Sequence, residues 1–385
     1  MTKNRKLKLG WLFPYSGIFT DLRSDLQQGL ELALGEDKTA FIEHYPQFIQ
    51  TGGLKDVEDA LKKLLLYDQV DLVIGVTSTK VALSILPLPE NRHTPVILLN
   101  LGADMPCLQL SSDYLFYNSL HLWKSEWVMG RWAQQKYGGE PSINMSVYEG
   151  GYRLHEAFKS GTAVSGAATV KLNIVSNFSS VPDTASLIQC IIDQQPQHAH
   201  ALLSGKEGAQ FLQLFSMSPQ VSKTALTVNP FIAEDGLLQE LPLNLDLYNA
   251  TTWSVGLDND HNRTFVASYK AGYNETPTAF SLLAYEAGLA LNAALQEMPG
   301  KISRQELAAV LKQTSIMGPR GKIALSTRPL HSNMPVYIRK PVLSPLTGRP
   351  INEILAKEQG IEWDAPSLST EQSFFTGWQN PYLCV

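Results

Sequence analysis

Residues 70–86, VDLVIGVTSTKVALSIL, constrain this chain more than any other stretch. Val70, Leu72, Val73 and Ile74 form a short apolar run rich in β-branched residues, Gly75 breaks it, and Ser78 and Thr79 stand where a helix would begin. The run predicts a strand, a turn and a helix N-terminus. At such a junction the first backbone N–H groups of the helix lack intrahelical partners, and two hydroxyls add donors and acceptors beyond the strand's carboxyl end. In open α/β sheets this crevice is where ligands bind. Ser and Thr also cap helices of every kind, so capping and ligand binding both stand as readings of this stretch alone.

The same alternation runs along the chain. Residues 7–13 read as a first strand ended by Pro14-Tyr15-Ser16-Gly17, and Leu26, Leu30, Ala33 and Leu34 lie at helical spacing. A second strand is expected over 40–45, a helix through Leu54, Val57, Leu61, Leu64 and Leu65, and strands over 95–99 and 114–118. The pattern then restarts, with a helix over 123–137 ended by Gly138-Gly139 and strands over 143–148, 170–174, 199–203 and 225–228. Strand–helix alternation predicts parallel sheets covered on both faces, and 385 residues suit two α/β lobes better than one sheet. After Trp253 a polar break, LDNDHNR, precedes a long helical pattern through Phe265, Tyr269, Phe280, Leu283, Ala287, Leu291 and Leu295. A helix over 301–312, a turn over 318–321 and a late strand over 336–338 follow. Residues 348–385 read as a tail whose Trp363, Phe374, Phe375, Trp378 and Tyr382 predict docking on the body of the protein.

Several function classes are disfavoured. A net charge of −5 supplies no basic face for a polyanion, so no nucleic-acid partner is expected. Cys107, Cys190 and Cys384 lie far apart with no CxxC pair, which argues against a zinc site or a disulfide scaffold. No segment approaches the roughly 18 uninterrupted apolar residues of a membrane span. The first residues carry positive charge but run straight into a strand pattern, so the protein is either cytoplasmic or lacks a signal peptide in this sequence. There is no HExxH, GxSxG or GxGxxG motif. GPRGK near Gly318 imitates a phosphate loop, but Ile316 replaces its first glycine and Ile323 follows the lysine, so it reads as a turn. The histidines show no ligand spacing, and His198 and His200 are read on opposite sides of a strand start. No enzyme activity, cofactor or metal is expected. What remains is a polar crevice at strand carboxyl ends: Ser16, Ser78, Thr79, Asn100, Asp104 and Asn118 from the first lobe, and Glu149, Tyr152, Ser204, Lys206 and Asn229 from the second.

These residues carry a family likeness. LKLGWLFPYSGIF, DLVIGVTSTKVALSILPL, TPVILLNLGADMP, RTFVASYKAGYNETPTAFSLLAYEA and MGPRGKIAL, in that order over residues 7–345, resemble the type I periplasmic binding proteins, in particular the Leu/Ile/Val-binding branch of ABC importer receptors. The resemblance implies a two-lobed α/β fold, each lobe a mostly parallel sheet flanked by helices, with three crossings near Leu120, Ser254 and Thr327. It divides the chain into 1–120 with 255–327, 121–254 with 328–347, and the tail 348–385. It further implies a monomeric, non-enzymatic receptor that closes about a small polar metabolite, an amino acid or related carboxylate, and delivers it to an ABC permease. Such a receptor is periplasmic or extracytoplasmic; a cytoplasmic ligand sensor of the same fold is the alternative. Carried over, Ser78 and Thr79 fall on the carboxylate-binding hydroxyls, Asn100, Gly102 and Ala103 on the second carboxylate loop, and Tyr152 on a pocket tyrosine. Asp104, Lys206 and Asn229-Pro230 depart from the family pattern, and the last of these removes the usual ammonium partner. Glu149 or Asp104 is then the candidate replacement; without one, Lys206 and Arg23 favour an anionic ligand lacking an amine. Trp253 and Phe280 are candidate pocket walls, or core residues of a lobe.

Overall fold

Apolar runs buried along their whole length, such as Leu72–Gly75 and Val96–Asn100, need cover on both faces and so occupy sheet centres. The computed structural model describes residues 6–103, 111–176, 183–240, 242, 245–298, 302–325, 327, 334–345 and 347–359. In the first sheet β1 (Leu7–Phe13), β2 (Ile42–Phe48), β3 (Leu72–Gly75), β4 (Val96–Asn100) and β5 (Leu115–Ser119) pair in the order β2-β1-β3-β4-β5, all parallel. The second sheet contains β6 (Ser142–Ser146), β7 (Lys171–Val175), β8 (His198–Leu202), β9 (Ala225–Val228) and β10 (Leu247–Thr251). After a hairpin of β11 (Ser315–Gly318) and β12 (Gly321–Ala324), the last strands, β13 (Val336–Leu343) and β14 (Pro350–Glu358), join the second sheet. Its order is β14-β13-β10-β9-β8-β6-β7, and only the β10–β13 and β13–β14 pairings are antiparallel. The parallel strands therefore follow one plan in both sheets. Strand order reverses between β1 and β3 in the first and between β6 and β8 in the second, and these switch points are where such sheets open a crevice.

Two differences from the sequence reading have physical causes. The second strand runs over Ile42–Phe48 rather than 40–45, because its parallel register with β1 carries it to Phe48 opposite Phe13. The first part of the expected tail is strand β14: Ile354 and Ala356 pack on the core while Ile351 and Leu355 face outward. Its alternation is masked in the sequence by an inward polar residue, Asn352, which donates to the Ala233 carbonyl at 2.9 Å and accepts from Asn249. Trp363, Phe374, Phe375, Trp378 and Tyr382 lie outside the described residues.

Close helix pairs fix each sheet's cover. The Leu22–Leu34 and Ala279–Glu297 helices approach so closely that a Cβ on Gly29 would stand 2.2 Å from the Ser281 carbonyl oxygen. The Leu122–Tyr137 and Leu154–Ala163 helices do the same beside the second sheet, where a Cβ on Gly161 would stand 2.0 Å from the Trp127 carbonyl oxygen. Between β5 and the hairpin lies a fully buried ion pair. The Arg320 guanidinium grips the Glu286 carboxylate, its Nε 3.0 Å from Oε1, and also donates to the Asn118 side chain at 2.7 Å and the Ser119 carbonyl at 2.6 Å. GPRGK is thus the turn it was read as, but its arginine points into the protein. Arg320→Met would strand the Glu286 charge without a partner and is expected to cost about 3–5 kcal/mol. Gly161→Ala, forced against backbone, is expected to cost about 1–3 kcal/mol. Urea unfolding of both variants checks these figures, and a midpoint equal to that of the wild type in either case would contradict the corresponding contact.

Candidate ligand-binding cleft

The carboxyl ends of the two sheets face a common cleft of about 540 Å³, its open mouth included. Loops after β1 and β4 supply Ile18, Phe19, Leu101 and Ala103, and Leu122 follows β5. Opposite them stand Tyr148, Glu149, Tyr152 and Leu154 after β6, Ser204 after β8, and Asn229 and Phe231 after β9. Glu126 reaches the cleft from the Leu122–Tyr137 helix. The Ser16 hydroxyl accepts the backbone N–H groups of Ile18 and Phe19, at 3.2 and 3.0 Å, and so shapes the first loop. Phe19 meets Phe231 edge-on at 5.3 Å between ring centres and Phe280 at 5.0 Å, which forms an aromatic row from one side of the cleft to the other. Tyr148 and Tyr152 meet edge-on at 6.1 Å.

Five of the sequence-derived candidates line this cleft: Ala103, Glu149, Tyr152, Ser204 and Asn229. Asn229 spends its polar atoms on its own loop, donating to the Leu203 carbonyl at 2.6 Å and accepting from the N–H groups of Phe231 and Ile232. Ser78 is the N-cap of the Thr79–Ile85 helix, its hydroxyl accepting from the Val81 N–H at 3.2 Å. Asn100 donates to the Thr79 hydroxyl at 3.2 Å and accepts from the Gly102 N–H, tying the loop after β4 to the turn after β3. Gly102 has φ +69°, and a Cβ there would stand 2.5 Å from the Ser119 hydroxyl, so only glycine suits the position. None of these residues is in the described lining; Asn100 and Gly102 shape the backbone that leads to Ala103. Asn118 faces away, bonded within the Arg320–Glu286 cluster. Phe280 forms a second layer behind Phe19, and Trp253 is a core residue whose indole N–H donates to Asn262 at 2.8 Å. Lys206 and Arg23 are exposed and absent from the lining, and Asp104 lies outside the described residues.

Electrostatics single out Glu149. Its carboxylate accepts from the Ser204 hydroxyl across the switch point between β6 and β8. Burial raises its pKa to about 7; Ser204 pulls it down, and repulsion from Glu207 and Glu126 pushes it up. Among the described lining residues there is no Lys or Arg to compensate it. Sequence reasoning missed Glu126, because a charged residue in mid-helix normally faces solvent. Its Oε2 instead lies 2.9 Å from His200 Nε2, both side chains buried. His198 and His200 also share a face of β8, contrary to the sequence reading, because a strand returns to the same side every second residue. His198 meets Gln134 at 3.0 Å and His200 meets Glu126, both partners lying on the Leu122–Tyr137 helix. That two-residue spacing was the available signal.

The raised Glu149 pKa makes the folded state bind this proton more tightly than the unfolded chain does. Stability is therefore lost as pH rises from the unfolded value through about 7, by up to about 3 kcal/mol. Glu149→Gln removes that loss, so the variant's stability advantage over the ligand-free wild type is expected to grow between pH 5 and pH 8. Denaturant titrations at both pH values check it, and a constant difference would refute a buried, uncompensated carboxylate.

The comparisons with known proteins agree with this geometry. A family profile described as periplasmic binding protein matches residues 54–341. No curated protein matches the chain by sequence. A solute-binding protein of an ABC transporter from Rhodopseudomonas palustris, solved with benzoate, is similar at 22% identity and a TM-score of 0.76, covering 93% of this chain and 98% of its own. An ABC transporter substrate-binding protein from Sphaerobacter thermophilus gives 18% identity and a TM-score of 0.80, with 94% and 100% covered. A leucine-binding protein from Thermotoga maritima gives 18% and 0.68, with 92% and 99% covered. Two α/β sheets with facing carboxyl ends, and a family match over three quarters of the sequence, place this chain among the type I periplasmic binding proteins, which bind solutes and are not enzymes.

Proposed function

We propose that this protein is the extracytoplasmic receptor of an ABC importer and that its ligand is a small α-amino acid with an apolar or aromatic side chain. The observation that carries the ligand class is Glu149, a buried carboxylate beside Ser204 in a cleft whose described lining holds no Lys or Arg. An ionised Glu149 would pair with the ligand's ammonium, which supplies the positive charge the wall lacks. The backbone around Ala103, held by Asn100 and Thr79, would face the ligand's carboxylate, and the ring edges of Phe19, Phe231 and Tyr152 would enclose its side chain. Closure of the two lobes about the chain crossings would shift the population toward the form that a permease recognises, with a single chain as the working unit. Residues 1–120 with 255–327 and 121–254 with 328–347 are the proposed lobes, the second extended by strand β14.

A benzoate-type ligand is the second reading. It is favoured by solved relatives that hold benzoate or hydroxybenzoates and by the raised pKa of Glu149, which lets a neutral carboxyl share the cleft with an anion.

The two readings differ in the sign of their pH dependence. An ammonium ligand needs Glu149 ionised, so its affinity is expected to rise about tenfold per pH unit toward pH 7 and then level off. A carboxylate without an amine needs Glu149 neutral, so its affinity should stay level up to about pH 7 and fall about tenfold per pH unit above it. Calorimetric titration with leucine, phenylalanine, their deaminated analogues and benzoate at pH 6 and pH 8 separates them. We expect the two amino acids alone to bind, and Glu149→Gln to weaken them by about 30-fold or more. Binding of deaminated acids that weakens with pH would overturn the amino-acid reading.

A further inference from the structure

The described lining of the cleft contains two carboxylates, yet an α-amino acid with an apolar side chain brings one cation. Glu126 and Glu149 both line the cleft, and Glu126 is near enough to raise the pKa of Glu149. What separates their roles is His200, which is fully buried on β8 and stacks on Phe158 with ring centres 4.0 Å apart and planes 14° apart. Its Nδ1 lies 2.9 Å from the Thr227 hydroxyl, and that hydroxyl already donates to the Ala199 carbonyl. With the Thr227 proton on that carbonyl, 3.3 Å away, Thr227 accepts from His200 and Nδ1 carries a proton. Nε2 then faces Glu126 Oε2 at 2.9 Å, and neither atom has a hydrogen-bond partner elsewhere among the described residues. Two bare acceptors held at that distance out of water would be strongly unfavourable, so one proton lies between them. Whichever atom holds it, the pair has no net charge.

From this geometry we infer that His200 is a specificity-determining residue of the receptor: by neutralising Glu126 it leaves Glu149 as the one carboxylate of the described lining open to a cationic group, and so excludes ligands bearing a second positive charge. The inference rests on the amino-acid reading for its ligand, but the pair itself does not depend on that reading. His200 does not itself line the cleft; it acts through Glu126. The aromatic support behind it fits that role, since the ring is held by Phe158 on its face and by Thr227 at its edge. Burial, reinforced by repulsion from His200, holds neighbouring His198 at a pKa of about 4, so His198 does not compete for the proton at neutral pH.

The test is a selectivity ratio. Leucine is titrated against 2,3-diaminopropionate, ornithine and lysine in the wild type, His200→Gln and the His200→Gln/Glu126→Gln double variant, with folding checked by circular dichroism. The wild type is expected to prefer leucine by about 100-fold over each diamino acid, the cost of burying a second, unpaired cation. In His200→Gln the freed Glu126 charge should narrow that ratio by about tenfold or more for at least one diamino acid. In the double variant, with no charge left to attract, the ratio should return toward that of the wild type. A merely structural role for His200 would lower all affinities together and leave the ratio where it was, which would overturn the inference, as would a double variant that keeps the altered ratio. If the wild type binds benzoates and no amino acid, the amino-acid reading alone fails. The same ratio is then taken between 4-(aminomethyl)benzoate, whose one cation Glu149 can pair, and 3,5-bis(aminomethyl)benzoate, which brings two, with the same outcomes supporting or overturning the role of His200.

Discussion

The buried pair of Glu286 and Arg320 holds together the parts of the structure that everything else requires to meet. Glu286 belongs to the Ala279–Glu297 helix, Arg320 to the β11–β12 turn, and the remaining guanidinium hydrogens go to Asn118 and Ser119 at the end of β5. That strand end is where the chain leaves the first sheet. Charge removed from water on this scale is favourable only when every donor and acceptor is matched, and here both Asn118 atoms, both Glu286 oxygens and the Ser119 carbonyl take part. The cluster thus fixes the origin of the chain crossing relative to a helix that itself crosses the Leu22–Leu34 helix at backbone contact.

From that fixed frame the cleft follows from topology. Parallel strands in both sheets end at the same side, and the two reversals in strand order leave openings that loops after β1, β6 and β8 fill with Phe19, Glu149 and Ser204. The lining is mostly apolar, and its charges are acidic. Two carboxylates in one low-dielectric space repel each other unless one is compensated from behind, and the His200 ring stands where such compensation is needed.

Much of the fold was legible. The apolar run of β3, its glycine stop and the Ser78 cap announce themselves because local chemistry alone dictates them. Strand β14 was not, since its inward Asn352 breaks the alternation that marks a strand, and only the carbonyl of Ala233, distant in sequence, makes that asparagine tolerable. The site was legible in part for a related reason. Residue type and position after a strand pointed to Glu149, Tyr152 and Ser204, which line the cleft, whereas the hydrogen bonds of Ser78, Thr79 and Asn100 are spent on a helix cap and on the loop after β4. Phe19 and Phe231 carry no polar chemistry to draw notice, and Glu126 sits in a helix where a carboxylate ordinarily faces water. Its burial depends on β8 lying beneath it, a relation that no local pattern encodes.

The glycine contacts in the two helix pairs have a mechanical consequence. Where backbone meets backbone at Gly29 and at Gly161, there is no flexible side chain to absorb displacement, so each pair behaves as a single stiff beam. Compliance is thereby driven out of the lobes and into the short connecting segments between them. Under the proposed closure such a body would work as a lever: a sub-ångström adjustment where a solute touches the loops would be magnified along the beams into a larger sweep at the far ends.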